Sequence, residues 1–209
     1  MAPIAPEIAS DLEAVAELRH DLHAHPELGY QEKRTSGVVQ RVLGEAGVKF
    51  VAGLARGTGV LGWLPATSSS ETARTVALRA DMDALPILEA TGKPYSSTCE
   101  GIMHACGHDG HTSVLMGAAR ALAKTKDRPN NVLFVFQPAE EGGAGGKAMV
   151  EDGVLKGKHF GRPADVIYGL HCAPFLEVGT LATRVGALMA STDEIKIKRH
   201  PAAPRLGRG

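Results

Sequence analysis

The sequence predicts an α/β protein in which a mostly parallel sheet is covered by helices. Three observations carry that expectation. Short apolar runs sit between Gly, Pro and Ser clusters, amphipathic segments alternate with them, and metal-capable side chains fall where several of the runs end. A chain of 209 residues with 44% hydrophobic content can bury a sizeable core, as one domain or as a large part of a bigger one. Its 25 glycines and 4% aromatic content fit an α/β chain with many tight turns.

In chain order, Ile8, Leu12, Val15, Leu18 and Leu22 recur every three or four residues. This predicts an amphipathic helix over about 8–28, with Ser10 and Asp11 available as a cap. Pro26 and Gly29 are stop signals, and 35–46 reads as a second helix closed by Gly47. His20, His23 and His25 are expected in solvent on the exposed side. The runs 48–51, 58–64 and 75–79 read as strands, with 66–75 a surface loop. Helical spacing returns at Val114, Leu115, Ala118, Ala119 and Leu122, over 112–124. The continuous apolar run NVLFVFQ, Asn131–Gln137, predicts a central strand, followed by the loop PAEEGGAGG and a short helix around 147–152. A further strand is expected over 165–170, ending in His171, and 178–182 and 192–198 are candidate strands.

Charge and cysteine content narrow the function classes. Twenty-three basic and 23 acidic residues cancel, so no global field draws the chain to nucleic acid or to an anionic membrane, and small-molecule chemistry is the better expectation. Cys99, Cys106 and Cys172 are too few for a disulfide scaffold, and an odd number leaves one thiol unpaired, which fits a reducing cytosol. The N-terminus carries acids from Glu7 onward and lacks the basic start and apolar run of a signal peptide, and nowhere do eighteen apolar residues follow one another. A soluble, cytoplasmic protein is the expectation.

The chemistry centres on HACGHDGH, residues 104–111, which packs three histidines, a cysteine and an aspartate into one short stretch. Asp81 and Asp83 close an apolar strand, at the end where open α/β sheets bind ligands. Glu140 and Glu141 follow the central strand, and His171 follows the next. Thiolate, imidazole and carboxylate together suit a borderline-soft divalent ion. In an extended turn Cys106 and His108 can project to one side and grip one site. Of two adjacent glutamates, one can bind metal while the other takes a proton from a water made acidic by the cation and returns it to a leaving amine. The implied reaction is hydrolysis of an amide. There is no H-E-x-x-H, no G-x-S-x-G and no zinc-deaminase signature, and EGGAGGK is not a phosphate loop because Ala148 follows Lys147.

The segments RADMDALP, HACGHDGHTSVLMGAA, VFQPAEEGGAGGKAMVEDG and YGLHCAPFLEVGTLATRVGALMAS closely resemble the metal-dependent amidohydrolases typified by hippurate hydrolase, aminoacylase and plant indole-acetyl-amino-acid hydrolases, over about 8–198. The resemblance implies a catalytic α/β domain holding two divalent ions (zinc, manganese, cobalt or nickel), acting on a small N-acyl amino acid. It also implies a smaller domain that covers the cleft and dimerises. Carried over, Cys106 bridges the two metals, His108 and His171 bind one, Glu141 binds the other, and Glu140 is the general base. Asp81 is a carboxylate that orients a ligand. His104, Asp109 and His111 are left to helix capping and supporting hydrogen bonds.

The end of the chain departs from that pattern. Where the family continues into a G-x-G-G-H motif, this chain runs into RHPAAPRLGRG, residues 199–209, and His200 does not stand in for the family's histidine. The expectation is a partial catalytic domain over 1–198 and an aberrant tail over 199–209, without the covering domain and with impaired activity. The alternative is a non-catalytic metal-binding fragment.

Overall fold

A computed structural model describes residues 6–67 and 73–187. The helix expected over 8–28 is broken into a single turn, α1 (Pro6–Ala9), and α2 (Leu12–Ala24). Asp11 stands at the break but does not cap α2. Its carboxylate instead accepts from Arg120, at 3.3 Å, and from Lys124, at 2.8 Å. Two charge-assisted bonds outcompete one bond to a helix amide. A second helix, α3 (Lys33–Glu45), buries Val39, Val42 and Leu43 along one face.

The remaining elements are β1 (Lys49–Leu54), β2 (Gly59–Leu64), β3 (Thr75–Asp81), α4 (His108–Lys124), β4 (Asn131–Gln137), α5 (Gly145–Glu151) and β5 (Val166–Gly169). The strands form one sheet in the order β1-β2-β4-β3-β5. The pairings β4/β3 and β3/β5 are parallel, whereas β1/β2 and β2/β4 are antiparallel. The sheet is therefore mixed. Residues 55–58 are too short a link for a parallel crossover, which needs a dozen or more residues, so β1 and β2 form a hairpin. The parallel half positions the site. Asp81 lies opposite Gln137, so the chain leaves β3 and β4 at the same edge of the sheet.

Helices cover both faces. Leu22, Val39, Val42, Leu43, Leu115 and Met116 pack with Val60, Phe134 and Phe136 on one side. Leu61, Leu133 and Val135 pack with Met149 and Val154 on the other. Alternate residues of β4 thus serve two cores, which is why its sequence is an unbroken apolar run.

The strand expected over 165–170 is shortened to β5, an edge strand exposed at every position. Residues 178–182 form turn and irregular structure, not the strand expected there, because Gly179 takes a left-handed φ of 88° that interrupts extended pairing. The strand expected over 192–198 and the tail over 199–209 lie outside the described residues. The described residues fall into two compact units, one ending at Cys172 and one beginning at Ala173. Among them no helix is long and apolar enough to cross a membrane.

Candidate metal centre

The motif HACGHDGH is the entry into α4. Gly107 precedes the helix with φ +86°, and a Cβ there would press on Cys172 Cβ and Sγ at 3.4 Å, so glycine alone turns the chain freely at this point. The first turn then buries His108, Asp109, His111 and Thr112. Thr112 donates its hydroxyl to the Asp81 carbonyl at 2.7 Å, tying the helix start to the end of β3.

His108 is almost fully buried, and its Nδ1 lies 2.8 Å from the Asp83 carbonyl oxygen. A carbonyl can only accept, so Nδ1 carries a proton, and the neutral form of the ring presents a lone pair on Nε2. That Nε2 is buried without a hydrogen-bond partner. It stands 3.6 Å from Asp81 Oδ2, 3.8 Å from Glu141 Oε1 and 3.9 Å from Glu140 Oε2. An acceptor nitrogen facing carboxylate oxygens gains nothing from them directly. Ligand atoms each about 2 Å from a common ion stand roughly 3–4 Å apart, so the spacing fits a shared cation.

His171 repeats the arrangement. Its Nδ1 lies 2.7 Å from the Cys172 carbonyl oxygen, and its Nε2 lies 3.5 Å from Cys106 Sγ. The ligand atoms of Cys106, His108 and His171 fall within 4.8 Å of one another, as do those of His108, Glu140 and Glu141. The structure thus gathers five sequence-selected residues into two overlapping groups that share His108. A third group joins Asp81, His108 and His111. Both His111 nitrogens are engaged there, Nδ1 with Asp81 Oδ1 at 2.6 Å and Nε2 with the Cys172 amide at 2.8 Å. His111 therefore orients the His171–Cys172 segment.

The electrostatics also call for a cation. Burial first, then Glu141, Asp81 and Glu140, pushes the Cys106 thiol up to about 12. Burial and the Glu141 charge raise Glu140. Burial disfavours ionised Asp81, but the His111 bond and the charges of Arg79, His108 and His111 outweigh it and hold the carboxyl at about 2. Burial opposes protonation of His108, yet its bond to Asp83 and the surrounding carboxylates raise its pKa. A divalent ion would offset this surplus of negative charge and favour the Cys106 thiolate. The donor set fits such an ion.

Asp83 carries more of the site than the sequence indicated. Its Oδ1 accepts from the Glu140 amide and its Oδ2 from the Glu141 amide, each at 2.9 Å. The D-x-D spacing at the end of an apolar strand was the available signal. His23 is buried, not solvated as expected. Its Nδ1 lies 2.9 Å from Asp109 Oδ2 and its Nε2 3.3 Å from Glu89 Oε1, because α2 packs on α4 and turns this residue inward. His20 stacks on Tyr95 at 3.9 Å, and His25 bonds the Asp21 carbonyl. His104 is buried with both ring nitrogens unbonded, and burial lowers its pKa to about 4.

Comparison with known proteins shows the family to which this fold belongs. The chain belongs to peptidase family M20/M25/M40, whose profile matches residues 77–206. It is 41% identical over 196 residues to N-acetyl-L-cysteine deacetylase of Bacillus subtilis, covering 91% of this chain and 45% of that protein. It is 44% identical over 180 residues to an IAA-amino acid hydrolase of Arabidopsis thaliana, covering 86% and 39%. Among solved structures it resembles Bacillus subtilis YXEP, described as a dinuclear metal binding peptidase, with a TM-score of 0.72 and 38% identity over 82% of this chain and 46% of that one. The chain spans less than half the length of each.

Proposed function

We propose that this chain carries the metal site of an amidohydrolase that cleaves N-acyl amino acids, hippurate-like compounds among them. The observation that carries this reading is the buried, unbonded Nε2 of His108 facing Glu140 and Glu141 beside the Cys106–His171 pair. Cys106, His108 and His171 would hold one divalent cation, and Glu141 would hold a second. Zinc, manganese, cobalt and nickel all suit this mixture of donors. The chemistry supplied at such a site is carbonyl polarisation and a lowered pKa for water.

Glu140 is the general base. Its carboxyl, partly exposed and raised in pKa, takes the proton of the attacking water and returns it to the leaving nitrogen. Asp81 acts through His111, which fixes the segment bearing His171. The substrate is a small molecule and the setting the cytoplasm.

A second reading, metal binding without turnover, is favoured by β5, which is exposed at every residue where a catalytic sheet would be covered. Purified chain loaded with zinc, manganese or cobalt and assayed on hippurate and N-acetyl amino acids separates the two. Release of the free amino acid that is lost in Glu140→Gln supports the hydrolase. Retained metal without turnover supports the second reading, and no retained metal overturns both.

A further inference from the structure

Glu32 has no part in the chemistry proposed above, yet it is fully buried. It sits just before the first turn of α3, but its side chain makes no cap bond to that helix. It reaches instead across the fold. Its Oε1 accepts from the Ala139 amide at 2.8 Å and its Oε2 from the Thr58 hydroxyl at 2.8 Å. Among the described residues no ion pair joins it, so a buried carboxylate is held by neutral donors alone, an arrangement costly in desolvation.

Ala139 is the residue on which the loop after β4 turns. Its φ is +48°, a left-handed conformation that costs an L-residue roughly 1–2 kcal/mol. The turn brings three successive amides, those of Ala139, Glu140 and Glu141, onto two buried carboxylates, Glu32 and Asp83. Tyr30 braces the far side of the loop, donating its hydroxyl to the Gly143 carbonyl at 2.6 Å. Gly29 permits the close approach, since a Cβ there would stand 3.1 Å from Ala139 Cα and Cβ.

We propose that Glu32 is a positioning residue of the metal centre: by holding the Ala139 amide it keeps the left-handed turn that delivers Glu140 and Glu141 to His108. This rests on the reading of those residues given above. Glu32→Ala removes both acceptors. Glu32→Asp is one methylene too short to span Ala139 and Thr58. Glu32→Gln keeps an acceptor for Ala139, because the Thr58 hydroxyl can reverse and accept from the new amide.

The test is a cobalt(II) titration of the 209-residue chain and these three variants, with Asp165→Ala as control. Asp165 makes the same kind of carboxylate-to-amide bond, to Thr75 at 2.6 Å, at the opposite end of β3. Glu32→Ala and Glu32→Asp are expected to weaken cobalt binding about 10- to 100-fold, the usual effect of disturbing a ligand's support, with Glu32→Gln recovering most of it. Asp165→Ala is expected to lose stability while binding cobalt as the wild type does. Unchanged affinity in Glu32→Asp overturns the proposal, even where Glu32→Ala fails to fold. Amide hydrogen exchange at 139–141 in metal-free protein tests the clamp separately. Faster exchange in Glu32→Asp supports it, and unchanged exchange overturns it. A wild type that binds no cobalt but shows faster exchange in Glu32→Asp contradicts the metal reading and not the clamp.

Discussion

His108 donates its Nδ1 hydrogen to the Asp83 carbonyl at 2.8 Å, and in the neutral ring that bond leaves the buried Nε2 as an acceptor with no protein partner. Asp83 uses its side chain on the Glu140 and Glu141 amides, so one residue sets both the tautomer of the histidine and the position of the glutamates. Replacing His108 by Ala is expected to cost more than the roughly 100-fold in metal affinity that loss of a ligand's hydrogen-bond partner costs. Equilibrium dialysis against zinc checks it, and wild-type affinity in the variant contradicts the assignment.

Glu140 and Glu141 are expected to separate by function. Glu140→Gln keeps the volume of the side chain but cannot take a proton, so turnover should fall by about 10²- to 10⁴-fold with bound metal retained. Glu141→Gln should lose metal as well. Metal analysis of both variants beside the hydrolysis assay distinguishes a base from a ligand.

Acid stability should depend on Glu89, which bonds His23. Burial pushes its carboxyl up, but bonds from the Ser97 amide, the Thr91 hydroxyl and His23 outweigh this and hold it at about 2, below its ordinary 4.5. A depressed pKa stabilises the fold above pH 4.5, and that contribution is lost as pH falls through about 2. The stability difference between wild type and Glu89→Gln should therefore be full at neutral pH and shrink over that window. Urea unfolding at several pH values reads it directly.

Gly145 admits no side chain, since a Cβ there would overlap the Pro138 carbonyl oxygen. Gly145→Ala should cost about 3 kcal/mol by forcing the loop after β4 apart, and should weaken metal binding with it. The urea midpoint and a zinc titration of the same sample check the two effects together.

The residues proposed as ligands were readable as a cluster because metal binding requires particular side chains, and the spacing of apolar runs located the strand ends that carry them. Asn131–Gln137 was legible for the same reason, since a strand between two cores must be apolar on both faces. The antiparallel hairpin β1/β2 was not read from the sequence, because periodicity does not report direction; the short link between the two strands was the available signal. Glu32 and His23 were missed because each acts over a long sequence separation, Glu32 on Ala139 and His23 on Asp109. An acid at the start of a helix and a histidine on an amphipathic one both look like ordinary surface residues until the packing is known.

Cys106 is the most direct test of the central claim, because a thiolate ligand has its own spectroscopic signature. Cobalt(II) titrated into the full chain should give a saturable thiolate-to-cobalt charge-transfer band in the near ultraviolet, absent in Cys106→Ser and in His108→Ala. A band that persists unchanged in Cys106→Ser, or no saturable binding in the wild type, would contradict a metal centre built on Cys106, His108, Glu141 and His171.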